Sequence, residues 1–292
     1  MDTLNQILVT GLTLGAMYAM STVGLSLVWG ALGMLNLAHG VILAIGGYTA
    51  YWVIAQMGFP LVVGLFGAMA MGALLGVVMY FGIVRQMLKS KDFETNIIIA
   101  TIGIAIALEN LLLRGFGGSA IPQPIQFSGG FWIGMVYVPW QNAIILITAV
   151  VFMGLLAWFL QKSRHGRAIR ATAQNRDAAR LMGVDTGNVY IQVLALAGAL
   201  AAISGIMLSS MTTLTPGMGA DPMIKAFIIC VVAGLGNVGA AAIAAFALGM
   251  IEAGAQFQFG SHLGFPTLLV IVIAVLIWRP YGLFGREEVE RL

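Results

Sequence analysis

The chain is a succession of long apolar runs separated by short polar segments. A helix that crosses the hydrocarbon core of a bilayer needs about 20 mostly apolar residues. Runs that approach or exceed this length cover residues 7–29, 36–57, 61–84, 96–113, 141–160, 190–210 and 238–257, and shorter runs cover 223–236 and 265–278. Because the strand-like alternation of a membrane barrel is absent, the pattern predicts an all-α polytopic membrane protein. We expect eight or nine transmembrane helices in a single domain over residues 1–292.

The composition favours a lipid environment over an aqueous one. Of the 292 residues, 60% are apolar and 9% are charged, whereas soluble domains carry roughly 25% charged residues. So few charges exclude a soluble enzyme, a nucleic-acid-binding domain and a secreted disulfide scaffold. The one cysteine, Cys230, lies in an apolar run, which is typical of a packed thiol. The net charge of +3 therefore bears on topology and does not indicate a nucleic-acid partner.

Basic residues are concentrated in a few segments, and they predict the orientation of the chain. One group follows the third apolar run (Arg85, Lys89, Lys91), and a larger group follows the fifth (Lys162, Arg164, Arg167, Arg170, Arg176, Arg180). Loops rich in Lys and Arg lie in the cytoplasm, so the segment 161–188 is predicted to be inside. The segment 114–139 has a single Arg and many Gly, Pro, Ser and Gln residues, and it is predicted to be outside. The tail, with Arg279, Arg286 and Arg291, is predicted to be cytoplasmic. A return from the basic segment to an inside tail requires an even number of crossings, so we count four spans after that segment, two of them short, with the N-terminus outside.

Small residues recur four positions apart within the apolar runs, as in Gly11 with Gly15 and Gly72 with Gly76. This spacing allows helix backbones to approach closely in lipid. We interpret it as ordinary helix packing.

Several enzymatic motifs are missing from the sequence. A phosphate-binding P-loop needs a glycine directly before its lysine, but Lys89, Lys91, Lys162 and Lys225 follow Leu, Ser, Gln and Ile. The chain is therefore not expected to hydrolyse ATP by itself or to be an enzyme. Its three histidines have no metal-ligand spacing, and no G-x-S-x-G nucleophile motif is present.

Polar residues within the apolar runs or at the break before the run 223–236 are candidates for a solute path, because such groups are costly at membrane depth. They are Asn36, His39, Glu109, Asp221, Lys225 and Glu252. The segment 216–222, which begins and ends with proline, predicts a broken helix whose free N–H groups suit a carboxylate. Alternative roles remain open: interfacial snorkelling for Glu109 and Lys225, and interhelical hydrogen bonding for Asn36, His39 and Glu252.

The predicted cytoplasmic segment contains a short helix signal. Asn175 is a favourable N-cap, Asp177 complements the helix dipole, and Gly183 is a natural stop. A helix over 176–182 would present Ala178, Leu181 and Met182 on one side and Arg176 and Arg180 on another. Such a helix can dock into the groove of a partner or lie on lipid headgroups.

Several motifs resemble those of one family in order along nearly the whole chain. Asp177-Ala-Ala-Arg-Leu-Met-Gly183 resembles the E-A-A-x-x-x-G loop of bacterial ABC importer permeases, with Asp in place of Glu and without the downstream proline. The branched-chain amino-acid ABC permeases of LivH type have segments similar to Gly11-Leu-Thr-Leu-Gly-Ala-Met-Tyr-Ala19, Gly33-Met-Leu-Asn-Leu-Ala-His-Gly40, Ser163-Arg-His-Gly-Arg-Ala168, Lys225-Ala-Phe, Gly234-Leu-Gly-Asn-Val-Gly239 and Arg279-Pro-Tyr-Gly-Leu-Phe-Gly-Arg286.

The resemblance implies an ABC importer permease bundle in the bacterial plasma (inner) membrane. The implied partners are a second related permease, two cytoplasmic ATPase subunits that use ATP and Mg, and a periplasmic solute-binding protein. The coupling residues implied are Arg176, Asp177, Ala178, Ala179, Arg180, Leu181, Met182 and Gly183. Solutes would be branched-chain or other amino acids, moved inward by alternating access.

Other functions remain open at this point. The same family contains permeases for urea and short amides. A self-sufficient channel or secondary transporter would need Glu109 or Glu252 for ion coupling, and an intramembrane enzyme or scaffold would show no vectorial flux.

Overall fold

The computed structural model describes residues 2–285 and consists almost entirely of helices. A long connection over residues 117–139 separates the first five described helices from the remaining seven. The helices are α1 (Asp2–Leu32), α2 (His39–Tyr51), α3 (Leu61–Met79), α4 (Arg85–Met87), α5 (Phe93–Phe116), α6 (Trp140–Lys162), α7 (Arg164–Gln174), α8 (Arg176–Leu181), α9 (Thr186–Met211), α10 (Ala220–Ala233), α11 (Val238–Phe259) and α12 (Gly264–Trp278). A π-helical turn extends α2 over Trp52–Gln56, and another joins α3 to α4 over Tyr80–Val84.

Seven helices in the described part of the chain are long and apolar enough to cross a membrane: Thr3–Leu32, Leu61–Met87, Phe93–Phe116, Trp140–Lys162, Thr186–Met211, Val238–Phe259 and Ser261–Trp278. The predicted polytopic all-α fold is therefore confirmed. The two other predicted spans correspond to α2, which has 13 residues before its π-helical turn, and to α10, which has 14. At 1.5 Å per residue α10 is about 21 Å long, shorter than the roughly 30 Å hydrocarbon core.

Glycines hold the central helices in close contact. A Cβ at Gly11 would lie 2.7 Å from the Cα of Met250, and one at Gly15 would lie 2.7 Å from the Cα of Phe246. These pairs run antiparallel, so α1 packs along α11. On the other side of the bundle, Gly72 and Gly76 of α3 contact the backbone of α9 too closely for any side chain. The small-residue spacing therefore marks helix packing, as predicted.

Helices α2 and α10 both begin inside the bundle. The Nε2 atom of His39, the first residue of α2, lies 3.1 Å from the carbonyl oxygen of Ser21. Ser21 is 11 residues before the end of α1, which is about 16 Å along its axis. The chain therefore turns back into the bundle between α1 and α2. The backbone of Gly40 contacts that of Gly219, directly before α10, so the N-terminal ends of these two short helices meet.

The connection between α5 and α6 contains a feature that the sequence pattern did not predict. Strand β1 (Gly130–Ile133) pairs with β2 (Val136–Pro139) as an antiparallel hairpin. Upstream of the hairpin, Ile121 exchanges backbone hydrogen bonds with Leu214, in the loop before α10. Each strand has only four residues, which is too short to give a clear alternation of polar and apolar positions.

Candidate solute path and coupling surface

Three of the six predicted path residues, Asp221, Lys225 and Glu252, form one charge cluster between α10 and α11. The Nζ atom of Lys225 lies 3.0 Å from Oε1 of Glu252 and 3.2 Å from Oδ2 of Asp221. The Lys225 side chain is 12% exposed and that of Glu252 is 1% exposed, whereas Asp221 is 66% exposed. The pair between Lys225 and Glu252 is therefore the desolvated one, and Asp221 is a more solvated third member.

Two polar side chains that sequence reasoning missed complete this cluster. Lys225 donates a hydrogen bond to the hydroxyl of Tyr18 at 3.1 Å, and the amide of Gln256 donates to Glu252 Oε1 at 3.1 Å. Tyr18 is 207 residues from Lys225, so no local signal could pair them. Within the described residues, Oε2 of Glu252 is buried without a hydrogen-bond partner, an arrangement that leaves one acceptor open in the cluster.

Asn36 and His39 lie apart from this cluster, at the start of α2. The Oδ1 atom of Asn36 accepts a hydrogen bond from the Ala38 N–H at 3.1 Å, which stabilises the turn into the helix. His39 is fully buried, and its Nε2 atom faces the carbonyl oxygen of Ser21. Because a carbonyl oxygen only accepts, this contact requires the proton on Nε2. Both side chains make contacts expected of polar groups that fix helix positions.

Glu109 lies at a third location, in a cleft between α2, α5 and α10. Its carboxylate lies against the backbone of Gly217, since a Cβ there would be 2.9 Å from Oε1. The cleft has a volume of about 110 Å³ and is open to the outside of the chain. Its lining is Leu37, Gly40, Val41, Ala105, Glu109, Pro216, Gly217, Gly219, Ala220 and Met223. The predicted break at 216–222 is therefore part of a cavity wall.

The predicted short helix in the basic segment is confirmed as α8, one residue shorter than expected. Asn175 caps it by accepting a hydrogen bond from the Ala178 N–H at 2.9 Å, and Gly183 ends it with φ of +83°. Leu181 is 89% exposed and Met182 is 85% exposed. Two large apolar side chains thus lie at the C-terminal end of a capped helix, and the described part of the chain leaves both exposed.

Contacts with its own chain hold α8 in place. Ala179 is buried, and the guanidinium carbon of Arg176 lies 5.1 Å from the ring centroid of Tyr190 at the start of α9. The preceding helix α7 is capped by Ser163, which accepts from the Gly166 N–H at 2.8 Å. The arginines of α7 are exposed, whereas Ile169 and Thr172 of the same helix are buried. These contacts therefore fix the position of α8 and of the apolar side chains that it exposes.

Two of the sequence motifs contact each other directly. The N–H groups of Leu283 and Phe284 donate to the carbonyl oxygens of Val232 and Ala233 at 2.8 and 3.1 Å. The tail motif thus caps the C-terminal end of α10, next to Gly234. Arg286 and Arg291, which contributed to the predicted orientation of the tail, lie outside the described residues.

Within residues 2–285 no group of three His, Cys, Asp or Glu side chains is placed to hold a metal ion. The charge cluster combines two carboxylates with one ammonium, which compensates the buried charge of Glu252 and leaves the more exposed Asp221 as the excess negative charge. Its chemistry is that of a buried ion pair.

Comparison with known proteins identifies the family. The profile described as "Branched-chain amino acid transport system / permease component" matches residues 7–282. The high-affinity branched-chain amino acid transport system permease protein BraD of Pseudomonas aeruginosa is 30% identical, over 98% of this chain and 97% of its own. The corresponding protein LivH of Escherichia coli K12 is 30% identical, over 97% and 96%. The autoinducer 2 import system permease protein LsrC of Escherichia coli is 26% identical, over 78% and 65%.

These matches extend over both the apolar bundle and the basic segment that contains α8. They identify a permease component and not an enzyme, in a multi-pass membrane protein. The chain belongs to the family of branched-chain amino acid transport system permease components.

Proposed function

We propose that this chain is one permease subunit of an ATP-driven importer that moves branched-chain or other amino acids into the cytoplasm by alternating access. The observation that carries the proposal is α8, a capped helix that presents Leu181 and Met182 to the surface. Family membership supports the permease role. The ATP and Mg would be used by two cytoplasmic ATPase subunits, and a second related permease and a periplasmic solute-binding protein would complete the assembly.

The coupling step depends on the contacts that α8 makes with an ATPase subunit and with the rest of its own chain. Burying an exposed Leu or Met side chain contributes about 1.5–3 kcal/mol, so two such side chains suit a groove on an ATPase subunit. Ala179 and the stacking of Arg176 on Tyr190 tie the same helix to α9. When the ATPase subunits close, displacement of α8 would therefore be transmitted to the start of α9, a central helix of the bundle.

The orientation follows from the same reasoning. If α8 meets cytoplasmic ATPases, the segment 161–188 is cytoplasmic and the hairpin segment within 114–139 faces the periplasm. With the short α10 counted as a crossing, four spans follow this segment, so the C-terminus is cytoplasmic as well. The protein then lies in the bacterial inner membrane. This orientation agrees with the excess of Lys and Arg in the segment that contains α7 and α8.

The solute is the less constrained part of the proposal. BraD and LivH are named for branched-chain amino acids, and LsrC for autoinducer 2. Because relatives are named for different solutes, urea and short amides stay as alternatives to amino acids. The mechanism and the solute therefore need separate measurements.

The test is uptake of radiolabelled leucine and urea into proteoliposomes that contain this chain with its partner subunits. We expect leucine uptake to require ATP, the ATPase subunits and the binding protein. Leu181→Asp should reduce uptake at least about tenfold while ATP hydrolysis by the assembled complex persists, because a charge replaces an apolar contact. Gln174→Asp, which places the same charge on the exposed end of α7, is the matched control and should leave uptake unchanged.

Two outcomes would contradict the proposal in different ways. Uptake that continues without ATP or the ATPase subunits would favour a channel or a secondary transporter. ATP-dependent uptake of urea without leucine would retain the mechanism and change the solute.

A further inference from the structure

The hairpin β1–β2 packs against the rest of the chain with one face only. Residues directly opposite each other in paired strands lie on the same face of a sheet, and the register pairs Phe131 with Val138 and Trp132 with Tyr137. Val138 is 5% exposed, and the ring centroid of Phe131 lies 5.1 Å from that of Trp140. Phe131 and Val138 therefore form the packed face. Trp132 and Tyr137 form the other face, where they are 68% and 44% exposed.

The uncovered face of the hairpin is apolar, whereas a hairpin that faces water has polar residues there. An antiparallel sheet with one solvated face alternates apolar residues inward with polar residues outward. Here the outward pair is Trp132 and Tyr137, whose ring centroids lie 5.3 Å apart in an edge-to-face arrangement. Met135, in the turn between the strands, is 77% exposed. No charged residue occurs over 117–139, so the hairpin presents large apolar side chains without charged neighbours in the chain.

The base of the hairpin is fixed to the start of a membrane-spanning helix. Strand β2 ends at Pro139, the N-cap of α6. The Trp140 N–H donates to the carbonyl oxygen of Gly129 at 3.1 Å, and the Phe127 N–H donates to Oε1 of Gln141 at 3.2 Å. Helix α6 has 23 residues, which is about 35 Å at 1.5 Å per residue, and the hydrocarbon core is about 30 Å thick. Trp140 therefore lies close to the boundary between hydrocarbon and headgroups.

We infer that the hairpin lies in the headgroup region of the bilayer, with Trp132, Met135 and Tyr137 in contact with lipid. It does so at the end of α6 opposite to the basic segment 161–188. Trp and Tyr are enriched at this depth because their rings are apolar at one end and form hydrogen bonds at the other. Exposed apolar patches also mark protein contacts, but protein interfaces have a polar rim, and no charged residue flanks this patch along the chain. The partner of the hairpin is therefore a lipid surface.

Contact with lipid also fixes the connection that precedes the hairpin. Gln123 of this connection donates to the carbonyl oxygen of Gly47 in α2 at 3.2 Å and to Oγ of Ser209 in α9 at 2.8 Å. The connection therefore ties two central helices together, and the hairpin at its end holds it against the membrane.

The test places an environment-sensitive dye on the hairpin. Met135→Cys is labelled with nitrobenzoxadiazole in the complete importer, in nanodiscs of phosphatidylethanolamine and phosphatidylglycerol. Cys230 is buried, and the unsubstituted chain gives the background labelling. We expect blue-shifted emission, strong quenching by a lipid with a spin-labelled headgroup, and little quenching by iodide in the buffer.

Two labelled control positions calibrate the quenching. Ser119→Cys lies at an exposed polar position of the same segment, so its label should be quenched by iodide and not by lipid. Ile147→Cys lies on the exposed side of α6, where Ile147 is 61% exposed. Its label should be quenched most strongly by a lipid with a spin label near the end of its acyl chain.

The decisive variant removes the outward aromatic pair. Trp132→Ser combined with Tyr137→Ser leaves the packed face of the hairpin unchanged. We expect the headgroup quenching of the label on Met135→Cys to fall to the level of the polar control position, and its iodide quenching to rise to that level. Trp158→Ser removes an exposed tryptophan near the other end of α6 and should leave both signals at their parent values.

Three results would overturn the inference. Iodide quenching without headgroup quenching at Met135→Cys would place the hairpin in water. Headgroup quenching that is present in the chain alone but is lost in the complete importer, or on addition of a solute-binding protein, would assign the patch to a protein partner. Headgroup quenching that persists in the double variant would show that Trp132 and Tyr137 do not hold the hairpin at the membrane. None of these measurements depends on ATP-dependent uptake, so the transport proposal is tested separately.

Discussion

Removal of Lys225 should destabilise the protein more than removal of any other member of the charge cluster. In Lys225→Met, Glu252 would remain 1% exposed without its cationic partner, although the amide of Gln256 would still donate to it. Removing one partner of a buried ion pair costs about 3–5 kcal/mol, because the remaining charge is uncompensated. We therefore expect a loss of about this size in the free energy of unfolding.

The other variants of the cluster should rank in a definite order. Glu252→Gln leaves Lys225 in contact with Asp221 and Tyr18, so the expected loss is about 1–3 kcal/mol. Asp221→Asn breaks only the solvated pair and should cost about 1 kcal/mol or less. The double variant Lys225→Met with Glu252→Gln contains no unpaired buried charge. It should therefore be more stable than Lys225→Met alone.

The sole cysteine of the chain provides the assay. Cys230 is buried, so a thiol-reactive fluorescent dye reports unfolding of the purified chain in detergent as temperature rises. Lys225→Met should melt on the order of 10 °C below the parent, and Asp221→Asn should melt within a few degrees of it. If Lys225→Met and Asp221→Asn melt together, or if the double variant is no more stable than Lys225→Met, the buried ion pair does not have the energetic role assigned to it.

Three further substitutions, and a fourth as a control, test the coupling helix and the packing. Gly183→Val forces a β-branched residue into φ of +83°, at a cost of about 1–2 kcal/mol. We expect this variant to lower uptake while ATP hydrolysis persists. Normal uptake would contradict the role of α8 in coupling. Asn175→Ala removes the N-cap of α8, worth about 1 kcal/mol, and should speed amide hydrogen exchange there and not in α9. Gly76→Val drives a side chain into the backbone of Leu194 and should abolish stable expression, whereas Gly82→Val meets open space and should be tolerated.

Features that depend on neighbouring residues could be predicted from the sequence. Hydropathy over about 20 residues located the spans, since the cost of polar groups in lipid acts on each segment separately. The signals around α8 were equally local: Asn175, Asp177 and Gly183 act within one helical turn of the backbone groups they satisfy. The glycine spacing in α1 and α3 predicted close packing, because small side chains are what close packing requires.

The partners of these features were decided by the tertiary structure. A membrane helix that is apolar on every face has no polar stripe to show which side meets a neighbour. The contact between Lys225 and Tyr18 joins residues 207 positions apart, and the cleft at Glu109 exists only because α2 and α10 begin inside the bundle. The sequence alone determined which residues are costly in lipid. Only the folded bundle decided that Lys225 neutralises Glu252 and that Glu109 faces an open cleft.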